Sequence, residues 1–231
     1  MAMPGLLLTG WAPARASVRP VHLHVIDIAR GPDAQALRAG MELGLQDVDQ
    51  ASRVLRVSLV VHRGADAEAG PGSRQDVHII VAERDDERMD SGAAPCATRV
   101  YTCALRQWRP EAWSVASRPA PSTFGPRRLD WHPALGTPPA AQLSARFAEG
   151  FGAPMTEPAW RGWMAVKAAF EIALRAGAGE DDPLVLRMDG HKGQPLRFSE
   201  DGHLVQPTCR VVAGRAALVA PADASVGIDA G

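Results

Sequence analysis

The stretch Val21-His22-Leu23-His24-Val25-Ile26-Asp27-Ile28 decides the fold. Its first half alternates, with Val21, Leu23 and Val25 set against His22 and His24, the period of a strand with one polar face. From Val25 onward both faces are apolar apart from Asp27, as in a strand buried within a parallel sheet. Gly31-Pro32-Asp33 follows, with the proline near a first helical turn, where its missing N–H is harmless. Ala34, Leu37, Met41, Leu45 and Val48 then recur at helical spacing, which predicts a helix to about Val48. A second strand is expected at Val54 to Val61. A third follows at Asp76 to Val81, after a loop rich in Gly, Ala and acids. Strand, helix, strand at this spacing is a βαβ unit and implies a parallel sheet with right-handed crossovers.

Further along, Thr98 to Ala104 reads as a strand and Pro110-Glu111 as the start of a short helix. A Pro/Gly-rich passage, Pro121 to Pro126, leads to Trp131. Pro139 to Phe151 reads as a helix. A second, tryptophan-rich helix runs from Trp160 to Leu174, with Thr156 as N-cap and Glu157-Pro158 in its first turn. Trp163, Val166, Phe170 and Leu174 form its buried stripe, and Gly177-Ala178-Gly179 ends it. Asp181-Asp182-Pro183 reads as a short helix through Met188, and Leu196 to Val212 as a hairpin around Asp201-Gly202.

Hydrophobic residues make up 46% of the 231 and charged residues 22%, the balance of a globular chain. A formal net charge of −1 gives no electrostatic case for nucleic acid or an anionic membrane as partner. No window approaches the ~20 apolar residues of a membrane span. Residues 1–16 read as a truncated signal peptide, with Leu6-Leu7-Leu8 as apolar core and Ala14-Arg15-Ala16 as cleavage site before Ser17, but no Lys or Arg before Arg15. Cys96 and Cys103 lie too far apart along one strand to bridge, so with Cys209 they read as three small buried hydrophobes.

Covalent catalysis finds no support. The chain has no Gly-x-Ser-x-Gly elbow, and neither a Gly-x-Gly-x-x-Gly nor a Walker A loop to cradle phosphate. The pairs Asp85-Asp86 and Asp181-Asp182 read as turn and cap residues, and Glu83 to Glu87 as a solvated loop. Asp27, near the carboxyl end of the first strand, lies where open α/β sheets place ligands. It is equally suited to capping the next helix or pairing with Arg30. Three histidines offer a rival of another class. His22 and His24 share one face of the first strand, His78 lies on the third and His62 closes the second. His22, His24 and His78 converging on adjacent strands could hold zinc, as a metal-binding protein or zinc-dependent enzyme would require.

The C-terminal third carries a motif series. It reads Trp131-His132, Ala141-Gln142-Leu143, Arg146-Phe147, Gly152-Ala153-Pro154-Met155, then Trp160 and Trp163 with Ala165-Val166-Lys167-Ala168, and finally Gly190-His191-Lys192-Gly193-Gln194-Pro195-Leu196-Arg197-Phe198. In this order it resembles the type I periplasmic substrate-binding proteins of ABC transporters, the leucine-binding-protein-like receptors. The nearest likeness is to the branch associated with PQQ-dependent alcohol dehydrogenase systems. Gly40-Met41-Glu42-Leu43 resembles a step in that family's first helix.

The resemblance implies an α/β fold, a periplasmic-binding-protein type I-like parallel sheet lobe with helices. Too little chain lies between Ala104 and Arg118 for the family's second lobe, which is therefore expected to be strongly reduced. The expected organisation is a signal at 1–16, an N-terminal α/β lobe at 17–130, C-terminal helices and closing hairpin at 131–213, and a tail at 214–231. The implied function is capture in the bacterial periplasm of a small-molecule solute, an amino acid or an alcohol-oxidation metabolite, for delivery to an ABC permease. No enzyme activity and no cofactor are implied. Ligand-binding candidates are Ala29, Arg30 and Gly31 after the first strand, with Trp131 and His132 beside the cleft. A half-site could be a degenerate receptor, or complete its cleft as a homodimer.

Overall fold

The computed structural model describes residues 20–63, 76–83, 98–105, 111–118, 128–179, 182–212 and 215–219. The expected signal, Cys96, Trp11 and Trp108, and the passage 119–127 lie outside the described residues.

Among the described residues, five parallel strands form the central sheet: β1 (Pro20–Asp27), β2 (Ser58–Arg63), β3 (Val77–Val81), β4 (Thr98–Tyr101) and β5 (Ala112–Ser114), in the order β2-β1-β3-β4-β5. Helix α1 (Ala34–Leu55) joins β1 to β2, so the βαβ unit read from the sequence is present. Val21, Leu23 and Val25 of β1, with Val77, Ile79 and Val81 of β3, are buried in the main core. The opposite face of β1 and β3 carries His24, His78 and Ile80, and Ile80 joins a smaller cluster with Tyr101 and Ala112 of β4 and β5 and Cys103 just after β4. The period-2 alternation of the sequence thus separates two chemically different faces.

After the sheet come a short strand β6 (Arg128–Leu129), helix α2 (Pro138–Phe151) and helix α3 (Glu157–Gly177). Gly152, at φ 68°, closes α2 in the left-handed conformation that glycine adopts without a Cβ penalty. Thr156 caps α3 as expected, its side chain accepting the Ala159 N–H. Helices α1 and α3 come close enough to demand glycine where they touch. A Cβ at Gly40 would lie 1.7 Å from the Ala159 carbonyl oxygen, and one at Gly162 would lie 2.1 Å from that of Leu37. Small residues let two backbones meet and bury the stripes of both helices against the sheet.

The remaining strands are antiparallel. β7 (Met188–Asp189), β8 (Pro195–Phe198) and β9 (Leu204–Val205) form one small sheet, and β6, β10 (Thr208–Val212) and β11 (Arg215–Val219) another. The turn around Asp201-Gly202 does join a hairpin, β8 to β9.

Four sequence expectations are corrected. Helix α1 runs to Leu55, past Val48, and ends on Arg56 in the left-handed region at φ 57°, so β2 starts at Ser58 and not at Val54. The helix expected near Pro110-Glu111 is strand β5, paired with β4. Asp182 caps only a 3-10 turn, Pro183–Val185, its carboxylate taking the Leu184 N–H, and Met188 already lies in β7. β10 leaves the hairpin to pair with β6 and with β11, a strand inside the segment expected as tail.

Candidate functional site

The strand order fixes where a ligand crevice can lie. From β1 the chain moves outward to β2, whereas β3, β4 and β5 extend the other way. The loops leaving the carboxyl ends of β1 and β3 therefore diverge, and such a switch point is where open α/β sheets bind ligands. The loop after β1 holds Ala29, Arg30 and Gly31, so three of the sequence candidates stand at this position.

Arg38, one turn into α1, organises the loop. Its Nε donates to Asp27 Oδ2 at 2.5 Å, and its Nη2 to Asp27 Oδ1 at 3.3 Å and to the Ala29 carbonyl at 2.7 Å. The Ala29 N–H donates back to Asp27 Oδ1 at 3.2 Å. Neither partner expected for Asp27, Arg30 or a helix cap, is the one it takes. The hydrogen bond and charge of Asp27 hold the Arg38 guanidinium above its ordinary pKa. Arg30 is exposed and donates to the Ala29 carbonyl at 3.0 Å.

Across the switch point, Glu83 follows β3. Its carboxylate rests against Gly31 so closely that a Cβ there would fall 1.9 Å from Oε2. Gly31 is thus the residue that lets an acid reach the loop. Glu83 and Arg38 were missed at the sequence level, the first because Glu83 to Glu87 looked like a solvated run. Its one signal was its place just after an apolar strand neighbouring β1.

The carboxyl ends of the next strands are closed by side chains. Thr102 Oγ1 both donates to the Ala82 carbonyl at 2.6 Å and accepts its N–H at 2.9 Å, and Ser114 Oγ donates to the Cys103 carbonyl at 2.7 Å. Beyond β5, buried Asp130 accepts the Ser117 N–H and Arg161 Nε at 2.8 Å, while Glu157 accepts both the Asp130 N–H and Arg161 Nη2. Burial opposes the Arg161 charge, but Asp130 and Glu157 outweigh it and raise its pKa. This network fastens the start of α3 to the sheet.

Two candidates lie elsewhere. Trp131 is 1% exposed, stacked on Trp160 at 6.0 Å between ring centroids, and its Nε1 donates to the Met155 carbonyl. It is a core residue and offers no face to a solute, which corrects the expectation for it. His132 is half-buried in the β6–α2 connection, its Nδ1 accepting the Ala134 N–H at 3.1 Å. Buried Lys192 lies over the Trp160 ring, 4.1 Å from its centroid, and donates to Gln206 Oε1 and the Pro207 carbonyl. Burial lowers its pKa to about 8.

The histidines do gather, but not as a zinc site. His62, His24 and His78 occupy one register row across β2, β1 and β3. Their rings stack, with centroids 4.4 Å (His24–His62) and 4.7 Å (His24–His78) apart and planes within 20° of parallel, and His22 stacks on His62 at 5.4 Å. A metal is bound along the ring-plane lone pair, and parallel rings point their lone pairs side by side, not at one centre. Among the described residues no group of three or more His, Cys, Asp or Glu side chains could hold a metal ion. The alternative built on His22, His24 and His78 is set aside on that geometry.

No protein-family model and no curated protein sequence matches the chain. Among solved structures it is similar to a leucine-binding protein, LivK, from Thermotoga maritima, with a TM-score of 0.48 and 11% identity over 87% of this chain and 98% of that one. It is also similar to a branched chain amino acid ABC transporter periplasmic ligand-binding protein from Burkholderia xenovorans, with a TM-score of 0.33 and 10% identity over 88% of this chain and 58% of that one. Both TM-scores lie under 0.5, and neither likeness carries weight for what this chain binds. The class that fold and site define by themselves is an α/β protein with a parallel sheet and a loop-lined switch point.

Proposed function

We propose that this chain is a solute-binding protein of the periplasmic type, holding a small organic molecule at the switch point between β1 and β3. The observation that carries the reading is the loop Ala29-Arg30-Gly31, pinned from below by Arg38 and faced by the Glu83 carboxylate. A loop fixed in this way offers backbone groups and one exposed guanidinium to a solute, with the part-buried Glu83 carboxylate packed beside it, an arrangement suited to a molecule carrying both a donor and an acceptor. The motif series from Trp131 to Phe198 supports delivery to an ABC permease and a place in the periplasm. His132 remains a secondary contact in this reading. An amino acid or an alcohol-oxidation metabolite is the solute class, and the solute leaves chemically unchanged.

In the parent family two lobes close on the solute like a hinge. With the second lobe strongly reduced, the crevice has one wall, and a second copy of the chain is the natural source of the other. A thermal-shift panel of amino acids, small alcohols and small acids tests the reading. A bound solute at about 100 times its dissociation constant stabilises the fold by about 2.7 kcal/mol. A hit abolished by Glu83→Ala supports the site, and silence across the panel removes the proposal.

A further inference from the structure

The histidine column remains unexplained by solute binding. Four rings stand in contact on one sheet face: Nδ1 of His22 lies 3.1 Å from Nε2 of His62, and His24 is sandwiched between His62 and His78. Such a column is stable when the rings are neutral. An imidazolium needs an acceptor at each nitrogen, and the buried Nδ1 atoms of His24 and His78 have none among the described residues. A second charge stacked on the first adds repulsion.

Of the three strands that the column spans, β2 is the least held. Among the described residues it pairs only with β1, whereas β3 is paired on both sides. We propose that His22, His62, His24 and His78 form an acid-sensitive clasp that keeps β2 on the sheet at neutral pH and loosens it as the solution acidifies.

The direction follows from burial and mutual charge. Desolvation, then His62 and His22, lowers the pKa of His24, against the opposing pull of Asp76. Desolvation, then His24 and Arg99, lowers that of His78 to about 4, again against Asp76. Besides the histidines themselves, the charged groups acting on His24 and His78 are Asp76 ahead of β3 and Arg99 on β4. The unfolded chain therefore takes up protons first. The clasp is at full strength above the ordinary histidine pKa of about 6.5 and weakens as pH falls from there toward about 4.

Hydrogen exchange followed by mass spectrometry, corrected for intrinsic rates, tests this on wild type at about pH 7.5 and about pH 5. The clasp predicts that amides of Ser58–Arg63 lose about tenfold protection at the lower pH while those of Val77–Val81 keep theirs. In His62→Gln, which removes the ring joining β2 to the column, that acid response shrinks at least about threefold. Should His62→Gln not fold, His22→Gln is read in its place, since His22 meets the column at His62. Retained protection of β2 at the lower pH, parallel loss from β2 and β3, or an unchanged response in the variant overturns the proposal.

Discussion

Arg38 reaches back across the β1–α1 junction and grips Asp27, Nε to Oδ2 at 2.5 Å, while the same guanidinium holds the Ala29 carbonyl at 2.7 Å. One side chain thus ties the end of a strand to the loop that follows it. The pair is part-exposed, with side chains 40% and 30% accessible, so its stake is in the position of the loop more than in global stability.

Replacing Arg38 by alanine is therefore expected to leave the urea midpoint close to that of wild type. Solute binding should weaken about tenfold, because Ala29 to Gly31 loses its anchor. Arg38→Lys should restore it only in part, since an ammonium lacks the planar fork that takes both carboxylate oxygens and the carbonyl in one fixed geometry. Urea unfolding and isothermal titration on the same samples separate the two effects.

The α1–α3 contact predicts a contrast between two glycines. Gly40→Val forces a side chain into the Ala159 backbone and should cost about 3 kcal/mol in a urea titration. Gly150→Ala in α2, where an added Cβ meets nothing within 4 Å, should gain roughly 0.5–1 kcal/mol. Equal effects at the two positions would contradict the close packing of α1 on α3.

Lys192 makes a pH prediction of its own. Its folded pKa of about 8 lies below the ordinary 10.5, so between those values the unfolded chain holds more of the proton. Stability from this group therefore rises as pH climbs from about 8 to about 10.5 and is flat below that window. Lys192→Met should abolish the rise. At neutral pH it should also cost on the order of 2 kcal/mol, because Gln206 and the Pro207 carbonyl lose a buried donor. Unfolding curves for both proteins at a series of pH values check slope and offset together.

Cys209 is a free, buried cysteine, and burial raises its pKa to about 11. The thiolate is the reactive form, so it should not be labelled by an alkylating reagent in the native protein. It should label fully once urea unfolds the chain, with the site located by peptide mass spectrometry.

Much of this was legible in the sequence where pattern and environment agree. The alternation within Val21 to Ile28 marked a strand, although burial reverses its two halves, with His24 buried and Ile26 and Asp27 only half-buried. Thr156-Glu157-Pro158 marked the start of α3 because capping is local chemistry. Val54 and Leu55 misled because a β-branched residue beside a leucine reads as strand, while the helix carries both, largely exposed, to its left-handed end at Arg56. Ala112 to Ser114 is too short to show any period; only pairing with β4 makes it a strand. The position of the loop Ala29 to Gly31 at the carboxyl end of β1 was readable from the strand before it, and its choice as a solute contact rested on the resemblance. Glu83 and the stacking of His62 on His24 were not readable, since both depend on which strands are neighbours. Nor does composition distinguish a cleft tryptophan from a core one, and Trp131 is the second kind.

The central claim is that the Ala29–Gly31 loop and Glu83 form a solute site, and isothermal titration of wild type and Gly31→Val with the best solute from the panel tests it most directly. The added side chain pushes the Glu83 carboxylate away from an exposed loop without entering the core. The account predicts saturable one-site binding to wild type and at least about tenfold weaker binding to the variant, with unchanged unfolding. Equal affinity for both proteins would place the solute elsewhere and contradict it.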